Sequence, residues 1–86
     1  KNLDDEKLAE HCKKFVKTNY HPSGTAKMGA DGDKMSVLDA KMRVRGIENL
    51  RVCDLSVVPN ISSGNTAAPA MMLGLRCGDL IIESTL

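Results

Sequence analysis

The chain has 86 residues, a formal net charge of +1 and 42% hydrophobic residues. Its charges of both signs are interspersed, which argues against the clustered basic face of a nucleic-acid binder. The most apolar stretch, residues 67–75, is followed by Arg76 and Asp79 and is too short to span a membrane.

Residues 3–18 read as an amphipathic helix. Asp4, Asp5 and Glu6 supply negative charge where the helix dipole favours it. Leu8, Cys12, Phe15 and Val16 form one apolar stripe, and Glu10 stands four residues before Lys14, the favourable order for a helical pair. The run "KKFVK" reads as a solvated helix face. The helix should fade near Thr18, because Pro22 keeps His21 out of the α region.

Residues 19–34 read as loop, punctuated by Pro22, Gly24, Gly29 and "ADGD". Short extended pieces follow at "SVLD" and "MRVRG". In "MRVRGIENLRVCD" two strands flank a short connection opened by Gly46: Met42 and Val44 alternate with Arg43 and Arg45, and Leu50 and Val52 with Arg51. A polar loop, "LSVVPNISSGNT", then leads to a last helix from about Thr66 to Glu83. Asn65 is its expected N-cap, and Pro69 is tolerable in the first turn. Only Arg76, Asp79 and Glu83 break its apolar surround, the pattern of a helix inside a larger body. The fold class is therefore an α+β fragment with an N-terminal helix, an irregular loop, short strands and a long C-terminal helix. A chain of this size buries about 60–65% of its unfolded surface. With one Phe, one Tyr and no Trp, its core must rest on aliphatic residues and some faces expect a partner. Lys1 as first residue, with no basic-then-apolar leader, reads as an internal or processed start. Localisation stays open.

Three places can carry chemistry. His21 is held by a proline and flanked by glycines that let a ligand approach closely. Imidazole suits acid/base work near neutral pH, but a histidine hydrogen-bonded into a turn fits the local sequence as well. Asp54 ends an apolar strand, where α/β folds receive ligands. It can accept hydrogen bonds from sugar-like hydroxyls, or it can cap the "LSVV" turn. The segment "SSGNTAAP" opens the last helix with free N–H groups, an anion-binding terminus; Asn65 can serve there or simply cap. No serine lies in a G-x-S-x-G elbow. Cys12, Cys53 and Cys77 are too widely spaced for a disulfide framework or a metal motif, and read as reduced structural residues. His11 reads as a surface residue. A site of His11, Cys12 and His21 matches no zinc spacing, so no metal is expected.

"YHPSGTAKMG" followed by "SVLDAKMRVRGIENLRVCDLSVVPNISSGNTAAPAMMLGLRCGDLI" resembles the C-terminal part of the glucose–methanol–choline family of flavin-dependent oxidoreductases. The segments agree in order and spacing over nearly the whole chain. The resemblance implies an FAD-dependent alcohol oxidase or dehydrogenase. His21 would take the substrate hydroxyl proton while hydride goes to flavin N5, and Asn65 would hydrogen-bond the substrate oxygen. Asp54, with the Leu55 backbone nearby, would approach the ribityl and phosphate part of FAD. Asn65, Thr66 and Ala67 would meet the flavin at the start of the last helix, whose N–H groups can stabilise charge at the pyrimidine edge.

Two positions depart from the family pattern. Many relatives have Asn or Gln where Ala67 stands, and a Cys where Ala26 stands. The dinucleotide fingerprint G-x-G-x-x-G is missing from these residues. The expected partner is therefore the FAD-binding N-terminal portion, and the segment alone should neither hold FAD tightly nor act on an alcohol. On this reading residues 1–45 serve mainly the substrate side, and residues 46–86 complete the FAD-binding α/β fold. The alternatives are a flavin-containing lyase of the same fold, or a non-catalytic interaction subunit.

Overall fold

A computed structural model describes residues 4–86. Two helices carry most of the regular structure: α1 (Asp5–Phe15) and α2 (Ala67–Thr85). A single 3-10 turn, Leu55–Val57, lies between them. The α+β expectation is corrected on its β side, because strand pairing is reduced to isolated bridges.

Helix α1 starts where the acidic residues place it. The Asp4 side chain accepts a hydrogen bond from the Lys7 amide at 2.8 Å, satisfying one of the free amides of the first turn. It ends at Phe15, earlier than the expected Thr18, as Val16 turns extended with φ −64° and ψ 136°. The start expected at residue 3 lies outside the described residues. None of the described residues of α1 is buried, so the stripe of Leu8, Cys12 and Phe15 faces solvent. His11 is exposed as expected, its ring 4.6 Å from that of Phe15.

The central segment is an irregular web. Leu38 pairs with Met28 in a parallel bridge and with Val44 in an antiparallel one, and Arg43 pairs with Arg51. The Val44 amide donates to the Leu50 carbonyl at 2.9 Å and the Val52 amide to Met42 at 3.1 Å, so the two runs do meet antiparallel across their connection. A ladder does not develop because Met42, at φ 62°, leaves the extended region in mid-run, and Asn49, at φ 60°, turns the chain directly before Leu50. Alternation set Arg45 opposite Val44, yet the side chain is half-buried. Its guanidinium donates to Ser36 Oγ at 2.9 Å, Asp31 Oδ1 at 3.0 Å and the Gly29 carbonyl at 2.7 Å. One side chain thus closes the loop over residues 29–36.

Leu38, Met42, Val57, Leu73 and Cys77 form the core, with Met28, Val44, Val52, Cys53, Leu55 and Val58 packed around it. Leu38 and Val57 are fully buried, each contributing about 1.5–3 kcal/mol relative to exposure. Helix α2 joins this core through one face, Leu73, Cys77 and Leu80; Met71, Met72, Leu75, Ile81 and Ile82 stay exposed. The radius of gyration is 18.2 Å, against about 12 Å for a compact domain of this length. Cys53 donates its S–H to the Leu73 carbonyl. Burial, with the neighbouring Cys77, pushes its thiol up to about 11. All three cysteines are free, with Cys12 exposed.

The histidine loop is tied to the 3-10 turn by backbone alone. Amides of Gly24, Ala26 and Met28 donate to the carbonyls of Leu55 at 3.3 Å, Ser56 at 3.0 Å and Val57 at 2.8 Å. Gly24 has φ +81°, and a Cβ there would stand 3.2 Å from the Val58 carbonyl oxygen. Gly24→Ala is therefore expected to lower stability by about 1–3 kcal/mol, read as a fall in thermal midpoint. A midpoint equal to the parent's would show that this loop does not depend on the left-handed residue.

Candidate functional site

The site is assembled from three chain segments. The first is the loop after α1. Tyr20 adopts φ 61°, a costly region for an aromatic residue, and its amide donates to Thr18 Oγ1 at 3.1 Å. That left-handed step changes the chain direction directly ahead of His21. Pro22 then holds the loop extended, and the backbone bonds from Gly24 onward fasten it to the 3-10 turn.

The second segment is the entry to that turn. Asp54 is its N-cap: Oδ1 accepts from the Ser56 amide at 2.8 Å and from the Ser56 hydroxyl in a short contact. The Ser56 hydroxyl, followed by the Ser56 amide, lowers the carboxyl below its ordinary value of 3.8. The capping role open at the sequence level is thus realised. It occupies one carboxylate oxygen; Oδ2 carries no hydrogen bond among the described residues.

The third segment is the start of α2. The cap residue is Thr66, one position after the expected Asn65, because Thr66 is the last residue before the helix and has φ −98° and ψ −2°. Its side chain makes no capping bond. Instead Thr66 Oγ1 lies 2.8 Å from His21 Nδ1, across 45 positions of sequence. Thr66 is also the one buried polar residue among those described. The amides of Ala67 and Ala68 find no acceptor among the described residues, so the positive end of the helix dipole stays open.

These segments border an open recess of about 560 Å³ lined by Tyr20, His21, Pro22, Asp54, Leu55, Asn65, Thr66, Ala67 and Ala70. Every residue singled out in the sequence, His21, Asn65, Asp54, Leu55, Thr66 and Ala67, lies on this one surface. Asn65 and Ala67 are exposed on it and His21 is half-buried. Sequence reasoning missed Tyr20, Pro22 and Ala70 as lining residues. Ala70 was within reach, since it stands one helical turn beyond Thr66 and Ala67. A larger recess of about 910 Å³ lies between residues 43–51 and the end of α2, at Ile81 and Ser84, and contains none of these groups. Of the two, the smaller recess is the candidate site on chemical grounds, because it joins an imidazole, a carboxylate and a helix N-terminus.

An imidazole anchored through one nitrogen beside a cluster of amide donors can move a proton next to a developing negative charge. A statistical model of a protein family described as GMC oxidoreductase matches residues 1–74. The chain belongs to the GMC oxidoreductase family. It is 51% identical over 79 residues to the oxygen-dependent choline dehydrogenase of Vibrio vulnificus, covering 92% of this chain and 14% of that protein. It is 48% identical over 77 residues to the choline oxidase of Arthrobacter globiformis, covering 90% and 14%. A further oxygen-dependent choline dehydrogenase, from Brucella anthropi, is 43% identical over 81 residues, covering 94% and 15%. The chain thus spans about one-seventh of the length of these relatives.

The Asp54 cap sets a pH dependence. Because its folded carboxyl is lowered, the stabilisation it adds is complete above 3.8, the unfolded value, and is lost as pH falls through the lowered folded value. Ser56→Ala should move the Asp54 titration upward toward 3.8, measured by carboxyl-carbon NMR. An unmoved titration would show that Ser56 does not set it.

Proposed function

We propose that this segment forms one wall of the active site of an FAD-dependent enzyme that oxidises an alcohol, with choline as its substrate. The observation that carries the reading is the convergence of His21, Asp54 and the open start of α2 on one cavity. The choline specificity rests on the names of the relatives alone.

The residues lining the cavity suit a flavin. The unbonded amides of Ala67 and Ala68 supply donors for an electron-rich ring edge, and Ala67 and Ala70 add little bulk that would keep a flat ring away. Oδ2 of Asp54 and the Leu55 amide, neither of which is hydrogen-bonded among the described residues, suit the hydroxyls and phosphate of the ribityl chain. Asn65, Thr66 and Ala67 would hold the flavin end of FAD, which would supply the hydride acceptor when bound.

The chain's own groups do the rest. His21 holds Nδ1 against Thr66 and leaves Nε2 to take the hydroxyl proton of the substrate. Asn65 carries an amide that can donate to the same oxygen and orient it. Amides at the α2 terminus stabilise negative charge that accumulates beside them. Residues 1–45 serve mainly the substrate side and residues 46–86 complete the FAD-binding fold. The exposed outer face of α2, with Met71, Met72, Leu75 and Ile82, packs against the FAD-binding portion of the enzyme.

In the enzyme carrying this segment, His21→Ala should slow flavin bleaching by choline about a hundredfold or more, followed by stopped-flow absorbance. Reduction at the parent rate would remove His21 as the base. Bleaching by other primary alcohols but not by choline would leave the base in place and overturn the substrate.

A further inference from the structure

Thr66 is in the wrong state for a helix cap. Threonine at this position ordinarily turns its hydroxyl onto the amides of the first turn. Here the backbone is already helical and no capping bond forms. Thr66 is buried, and its hydroxyl reaches His21 Nδ1 at 2.8 Å instead. We infer that Thr66 is the positioning residue of His21: its Oγ1 accepts the Nδ1–H, holding the tautomer whose unprotonated Nε2 faces the substrate. This rests on the reading of His21 as the base.

The direction of the bond follows from the proton inventory of the ring. Neutral imidazole has one N–H and one free nitrogen, so a base at Nε2 requires the proton on Nδ1. A hydroxyl oxygen can accept that proton. When Nε2 takes the substrate proton, the ring carries N–H at both nitrogens, and Nδ1–H still donates to the same oxygen. The bond therefore persists through the proton transfer and strengthens as the ring becomes cationic, because charge-assisted hydrogen bonds are roughly twice as strong as neutral ones. A Thr66 hydroxyl donating to Nδ1 would place the ring proton on Nε2, and the ring would then have no lone pair toward the substrate.

The arrangement has a second consequence. Because the hydroxyl serves the imidazole, the Ala67 and Ala68 amides are left without a side-chain acceptor among the described residues. One threonine thus orients the base and keeps the anion-stabilising end of α2 open.

The test compares Thr66→Val, which keeps the shape and removes the acceptor, with Thr66→Ser, which keeps the acceptor. Both are made in the flavin-loaded enzyme carrying this segment, with choline as the probe. Thr66→Val should slow flavin reduction at saturating choline about tenfold or more, as expected for losing a hydrogen bond to a charged group, with little change in KM. Thr66→Ser should restore most of the rate. Independently of activity, nitrogen-15 NMR of the histidine ring, assigned with His21→Ala, should report Nδ1–H in the parent and in Thr66→Ser. In Thr66→Val it should report Nε2–H. With His21→Ala impaired, an unchanged rate in Thr66→Val or an unchanged tautomer overturns the assignment. Equal losses in both variants also overturn it. Should His21→Ala itself have no effect, the base reading fails, and the tautomer alone judges the hold. A shift in Thr66→Val keeps the hold, and no shift removes it.

Discussion

Everything at the candidate site depends on a short backbone seam between the histidine loop and the 3-10 turn. Three amides, those of Gly24, Ala26 and Met28, give their protons to the carbonyls of Leu55, Ser56 and Val57. Neither partner is a regular strand. Alternate amides of an extended loop meet successive carbonyls of a tightly wound turn, so two residues advance on one side for each residue on the other. The seam needs no particular side chains along its length, but it needs a left-handed residue at its mouth, which Gly24 provides at φ +81°. It holds His21 and Asp54 close together although 33 positions separate them in the chain.

The core then brings the third component. Val57, in the middle of the turn, packs with Leu38, Met42, Leu73 and Cys77. Helix α2 is therefore docked on the same turn that carries the seam, and its N-terminus is delivered to the histidine. Little other apolar surface is satisfied. One face of α2 is buried while its other large apolar residues are exposed, and α1 buries no described residue. The segment spans about one-seventh of its relatives' length; its internal contacts concentrate around the candidate site, and much of its apolar surface stays exposed.

Local chemistry made several features legible. The acidic start of α1 follows from the helix dipole and appears as the Asp4 cap. The apolar run after Asn65 marks α2 to within a residue or two of its observed ends. Pro22 placed His21 outside a helix. The strands failed for a reason no alternation pattern contains: Met42 and Asn49 take left-handed backbone conformations, where non-glycine residues are uncommon. Arg45 could be set on a face by alternation, but not assigned its partners, because Gly29, Asp31 and Ser36 reach it only after the loop has folded back.

By itself, the sequence determined the two helices, the irregular course of the histidine loop, and a motif order specific enough to indicate the family. These are consequences of helix propensity, the proline ring and residue types at fixed spacing. Tertiary structure alone decided that Asp54 caps a turn with one oxygen and leaves the other without a hydrogen bond among the described residues. It also decided that the cap position of α2 is occupied by a threonine turned away from its own helix. The hydroxyl of Thr66 has two possible clients, the local amides and an imidazole 45 positions away. Only the packed core, by fixing α2 against the 3-10 turn, brings the distant one within hydrogen-bonding distance.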